Sequence, residues 1–163
     1  MGLGEGDRLP DFVLPTDEGG TLSMVNLQGK TTVLYFYPRD DTPGCTSEAQ
    51  AFRDALDDFT AAGVALVGVS ADDPDSHRKF KTKHGLNFTL ASDTDTSLAR
   101  ALGVWVEKSM YGKTYMGMER ATFLVDREWV IRKVWRKVKV PGHAAEVLDA
   151  ARRLAAKEGI TLV

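Results

Sequence analysis

Residues 31–70, TTVLYFYPRDDTPGCTSEAQAFRDALDDFTAAGVALVGVS, decide the fold. The opening TTVLYFY is β-branched and aromatic, which marks a buried strand, and Pro38 ends it. After the loop at 39–44, Ala49, Phe52, Leu56 and Phe59 recur at spacings of three and four. That spacing lays one apolar stripe along a helix over about 45–61. VALVGVS at 64–70 is the next central strand. Strand, helix and strand form a βαβ unit.

Working outward, 11–14 and 21–25 flank a turn segment rich in Pro, Asp and Gly at 15–20, which predicts an N-terminal β-hairpin. Pro74 suits the first turn of a helix at 75–84. A short strand at 89–91 and a short helix at 97–102 follow. ATFLV at 121–125 and the stretch 130–138 read as two strands joined by a loop at 126–129. The last helix, over about 142–158, places Val147, Leu148, Ala151 and Leu154 on one face. Hairpin, βαβ unit, hairpin and closing helix is the order of a thioredoxin-like α/β fold with a central mixed sheet flanked by helices. One such domain spans 1–163.

Composition narrows the function. The 163 residues are 43% hydrophobic and 27% charged, ordinary for a globular chain of about one domain. Lys and Arg total 21 against 23 Asp and Glu, for a net charge of −2. That balance argues against nucleic acid held by long-range phosphate attraction. The one basic cluster, Arg132, Lys133, Arg136, Lys137 and Lys139 around Trp135, splits between the two faces of a strand and reads as protection of a sheet edge. No apolar run approaches the roughly 20 residues of a membrane span. Residues 1–10 carry no secretory pattern, and Gly6 stands where a myristoylation signal requires Ser or Thr, so the cytoplasm is expected.

Cys45 is the only cysteine, which excludes a disulfide framework and a zinc site built on several thiolates. It follows Pro43 and Gly44 at the junction of loop and helix. A first helical turn offers unpaired N–H groups and the positive end of the macrodipole, and both favour thiolate over thiol. The competing reading is a small buried hydrophobe. Pro38, Thr42 and Pro43 argue for a shaped loop instead of an apolar lining.

Pro38, Thr42 and Cys45 fit the Pro-x-x-x-Thr-x-x-Cys signature of peroxiredoxins, and YPRDDTPGCTSEAQAFRD resembles their bacterioferritin comigratory protein (PrxQ) branch. VGVSADDPDSHRKFKTKHGLNFTLASD, GVWVEKSMYGKTYMGMERATFLVD and the closing helix extend the resemblance from Asp7 to Leu154. It implies a hydroperoxide reductase in antioxidant defence, without metal, haem or flavin, in which Cys45 is the peroxidatic nucleophile and becomes a sulfenic acid. Arg120 falls on the family's arginine, which activates the thiolate and stabilises charge on the peroxide oxygens. Thr42 would orient the peroxide and Pro38 would shield the pocket. The Gly44 and Cys45 N–H groups would face the developing charge, and Glu48 would orient Arg120. Each also has a plainer reading: a surface arginine, a turn threonine, and a glutamate complementing the helix dipole.

Many of that branch carry a resolving cysteine five residues after the first, where this chain has Gln50. With no second cysteine, the sulfenic acid must meet an external thiol: thioredoxin, glutaredoxin or glutathione. The resemblance also implies a monomer. Two further readings stay open: a peroxide sensor or thiol-binding module without turnover, and a Cys-His hydrolase using His143, otherwise a surface histidine. His77 and His84 share a helix face without a third ligand in sequence, so no metal is expected. Trp105, Tyr111, Tyr115 and Met116 either wall the pocket or pack the core.

Overall fold

The computed structural model describes residues 2–161, with side chains through 158. The chain opens on an antiparallel hairpin, β1 (Val13–Pro15) and β2 (Thr21–Ser23), followed by a short helix α1 (Met24–Leu27). The expected strand does not continue to Val25, because the Ser23 amide donates to Asn26 Oδ1 at 2.8 Å and closes the first turn of α1.

Next come β3 (Thr31–Phe36), α2 (Pro43–Ala61), β4 (Val64–Ser70), α3 (Pro74–His84), β5 (Thr89–Ser92) and α4 (Ser97–Ala101). A hairpin of β6 (Trp105–Met110) and β7 (Lys113–Met118) leads to β8 (Ala121–Val125), β9 (Ile131–Trp135) and α5 (His143–Thr161). The main sheet runs β5-β4-β3-β8-β9, parallel across its first three strands and antiparallel across β3, β8 and β9. This is the mixed sheet of a thioredoxin-like fold.

The two-residue period of β3 divides the core. Leu34 and Phe36 pack with Val67, Val69, Phe123 and Ile131 on one face. Val33, Tyr35 and Tyr37 face the other, beneath Cys45, Ala49, Phe52 and Phe59 of α2 and Val147, Leu148 and Ala151 of α5. Every residue of β3 is buried. The catalytic-type loop therefore leaves the centre of the molecule, not its rim.

Two boundaries differ from expectation. The last strand stops at Trp135 instead of Val138, since Lys137 takes φ +48° and turns the chain out of the sheet. The β6–β7 hairpin has no counterpart in the sequence reading. It turns through Tyr111 and Gly112 at φ +53° and +79°, the pair of left-handed residues that a tight hairpin requires. Among the described residues, no helix is long and apolar enough to cross a membrane.

Candidate active site

Thr42 is the N-cap of α2 and Pro43 its first residue, so the helix begins two residues earlier than expected and Cys45 lies in its first turn. The Thr42 hydroxyl does not cap the helix. It donates to the Arg39 carbonyl at 3.0 Å, and among the described residues no side chain caps the amides of the first turn. The helix thus directs uncompensated N–H groups at the sulfur end of the site. Pro38 is half-buried at the end of β3. Cys45 is 1% exposed.

Arg120 enters from the link between β7 and β8. Its Nη2 lies 3.4 Å from Cys45 Sγ, and its Nη1 donates to Glu48 Oε1 at 2.7 Å. Cys45 and Glu48 are three residues apart on α2 and share one helix face, so a single planar guanidinium bridges both. Gly44 permits the approach, because a β-carbon there would stand 3.1 Å from Nη2. A guanidinium beside the sulfur is placed to oppose negative charge that develops in the site.

Glu48 is buried to 1% exposure, and its Oε2 has no hydrogen-bond partner among the described residues. Burial pushes its carboxyl up to about 7, against the opposing charge and hydrogen bond of Arg120. Burial also works against the Arg120 charge, but the carboxylate and the sulfur outweigh it and hold the guanidinium charged. Tyr35, beneath them on β3, is pushed well above the usual phenol range by burial first and then by Glu48 and Cys45.

The loop that carries Pro38 and Thr42 is tied down by residues the sequence reading did not use. Asp40 accepts from Tyr37 at 2.6 Å and from Ser76 at 2.7 Å, and its second oxygen lies 2.8 Å from His77 Nδ1. The Asp40 amide donates to Asp72, which also accepts from Ser70. His77 Nε2 faces the Ala91 carbonyl at 3.0 Å. Asp41, at φ +59°, bonds Lys83 and His84. His77 and His84 therefore serve separate anchors. Asp40, Asp72 and His77 each bring a ligand-type atom within 4.8 Å of the others, so carboxylates invisible in sequence do stand beside His77. Hydrogen bonds to Tyr37, Ser76 and Ser70 occupy those carboxylates.

His143 is not on the surface: it is 4% exposed, bonded through Nε2 to the Thr122 hydroxyl at 2.8 Å, and edge-on to Phe52 and Trp135. Burial lowers its ionisation to about 4, opposed by Glu146 and aided by Arg120. Its partner is Thr122, and the polar neighbour of Cys45 is Arg120, so the Cys-His pair of a hydrolase is not assembled. Gln50 is half-buried inside the unbroken helix α2.

The β6–β7 hairpin contributes Lys108, whose Nζ donates to the Met118 carbonyl and whose stem lies against Gly117. Burial and then Arg120 lower its ionisation, while the charges of Cys45 and Glu119 support it, so a second cation borders the site. Trp105 packs partly against the core, whereas Tyr111 is 97% exposed, and Tyr115 and Met116 are exposed too. Those three do not pack the core. In the basic cluster, Arg132 pairs with Asp126, Lys133 lies over Trp135, and Arg136 donates to the Leu102 and Gly103 carbonyls.

The AhpC/TSA family model matches residues 5–134. The chain is 47% identical over 152 residues to a Bacillus subtilis protein named peroxiredoxin Bcp, covering 93% of this chain and 97% of that one. The solved Xanthomonas campestris bacterioferritin comigratory protein is 44% identical and superposes with a TM-score of 0.84 over 88% of this chain and 92% of its own. A Xylella fastidiosa PrxQ structure is 37% identical, with a TM-score of 0.89 over 94% of this chain and 98% of its own.

Proposed function

Since the chain belongs to the AhpC/TSA family, among its Bcp or PrxQ peroxiredoxins, and is a thiol-dependent peroxidase, we propose the following roles for its residues. Cys45 as thiolate attacks the terminal oxygen of a hydroperoxide. The O–O bond breaks, sulfur takes that oxygen as sulfenic acid, and the other fragment leaves as alkoxide or hydroxide to become alcohol or water. Arg120 and the Gly44 and Cys45 amides oppose the negative charge that grows on the peroxide. The Thr42 oxygen, its own proton committed to Arg39, accepts from the peroxide O–H and aims it at the sulfur. Pro38 keeps water from the thiolate, and Glu48 positions Arg120.

The lone cysteine dictates the second half. A first external thiol condenses with the sulfenic acid, releasing water and leaving a mixed disulfide. A second thiol exchanges with that disulfide and returns Cys45. Peroxide is small enough for the buried sulfur, whereas a protein thiol such as thioredoxin or glutaredoxin needs the first turn of α2 to open. Glutathione meets a lower barrier. The reading is of a single-domain monomer in a reducing cytoplasm, supported by two core layers sharing one sheet and by a reactive thiol with no partner cysteine.

The observation that carries this reading is the 3.4 Å approach of Arg120 to a sulfur in a first helical turn. Intact mass after one equivalent of hydrogen peroxide tests it. One oxygen gained at Cys45, absent from Cys45→Ser and removed by glutathione or a thioredoxin system, is the expected result. A protein that is not oxidised defeats the reading, and oxidation that no thiol reverses makes the chain a sensor.

A further inference from the structure

Reduction of a hydroperoxide moves a proton as well as an oxygen. The thiol loses one before attack, and the alkoxide needs one as it leaves. Resting on the peroxidase reading, we infer that Glu48 carries this proton: its carboxylate takes the proton of the Cys45 thiol, and the resulting carboxylic acid gives it to the alkoxide. Atoms and charges balance. Thiol and carboxylate become thiolate and carboxylic acid, and thiolate and ROOH become sulfenic acid and RO⁻. RO⁻ then takes the proton to form ROH, and carboxylate returns.

Three observations point to Glu48. Cys45 and Glu48 are both buried acids held by one guanidinium, at 3.4 Å and 2.7 Å. Two anions against one cation in a low-dielectric site favour retention of one proton between them. Glu48 Oε1 is spent on Arg120, and Oε2 is buried with no partner among the described residues, Cys45 Sγ included, so protons reach and leave it through one water or the substrate. The carboxyl also titrates near neutrality, where it exchanges protons in both directions.

The other groups around the site are poor candidates. Arg120 does not release a proton under ordinary conditions. The Tyr35 hydroxyl lies against Gly68 and is a weaker acid than usual. The Thr42 hydroxyl is committed to Arg39, and His143 is bonded to Thr122. Lys108 donates to the Met118 carbonyl.

The test varies the leaving group. An alkyl hydroperoxide expels a strongly basic alkoxide that needs a proton, whereas a peracid expels a carboxylate that does not. Glu48→Gln keeps an acceptor for Arg120 but cannot relay a proton. Stopped-flow oxidation of Cys45 in this variant should slow with both oxidants, since neither reaction then has Glu48 to take the thiol proton, and by a further factor of about 10² to 10⁴ with cumene hydroperoxide, whose alkoxide needs that proton back. Equal losses with both oxidants overturn the inference and leave Glu48 a residue that only orients Arg120. Should the variant not fold, the wild-type solvent deuterium effect decides: a larger effect with cumene hydroperoxide than with peracetic acid is expected, and equal effects overturn it. If neither oxidant adds oxygen to wild-type Cys45, the peroxidase reading itself fails, an outcome distinct from either of these.

Discussion

Arg120 reaches Cys45 across Gly44, the one neighbour with no side chain to obstruct it: a β-carbon at Gly44 would meet Nη2 at 3.1 Å. The guanidinium cannot retreat freely, because its other nitrogen is bound to buried Glu48. Gly44→Ala should displace it by a few tenths of an ångström and slow Cys45 oxidation about tenfold, below the ~10²-fold cost of a 1 Å misplacement. Stability should hardly change, since alanine suits a helix better than glycine. An unchanged rate constant would show that the 3.4 Å approach is not used.

Removing the cation should cost more. Arg120→Met is expected to lower the oxidation rate about 10²- to 10³-fold, the usual loss for one preorganised donor to developing charge. Arg120→Lys should recover little of it, because an ammonium cannot bridge sulfur and carboxylate as a planar fork does. Arg120→Met also strands the Glu48 carboxylate, so it should destabilise the fold more in wild type than in a Glu48→Gln background. Urea melts of the four proteins measure that coupling.

The pH dependence of stability contains two opposed slopes. Glu48 rises from 4.5 to about 7 on folding, so its contribution is full below 4.5 and is lost as pH climbs through 7. His143 falls from 6.5 to about 4, so its contribution is present above 6.5 and is lost as pH drops through 4. Between 4.5 and 6.5 they oppose each other. His143→Gln should therefore lose stability as pH rises through this window, and Glu48→Gln should gain it, each at up to about 1.4 kcal/mol per pH unit. Denaturant titrations at pH 4.5, 5.5 and 6.5 would reveal either slope, and parallel curves for both variants would contradict the assignment.

Gln50→Cys installs a thiol inside α2, five residues and about 7.5 Å of helical rise from Cys45, beyond the usual span of about 7 Å between disulfide Cα atoms. The bond can close only if the start of the helix unwinds. This variant is expected to form that disulfide and to give less sulfinic acid than wild type under excess peroxide without thiol. Equal sulfinic yields by intact mass would mean that α2 does not open on that timescale.

Much of the molecule is local enough to read directly. TTVLYFY and VALVGVS declare β3 and β4 by composition, the stripe Ala49, Phe52, Leu56 and Phe59 declares α2, and together they place Cys45 at a helix start. Pro38, Thr42, Arg120 and Glu48 were legible as candidates from the motif they resemble. The β6–β7 hairpin was not, because much of it faces solvent and so lacks the apolar alternation that marks a half-buried strand.

The tertiary structure decided how the candidates meet. Arg120 reaches Cys45 from 75 residues away, His77 reaches Asp40 from 37, and His143 reaches Thr122 from 21. No local period encodes these pairings; they exist because β3 and β8 are neighbours in the sheet and α2, α3 and α5 pack around it. The same packing withdraws Glu48 and His143 from water and moves their ionisation in opposite directions. Periodicity reports which face of an element is apolar, whereas the charge of a buried group depends on everything folded against it.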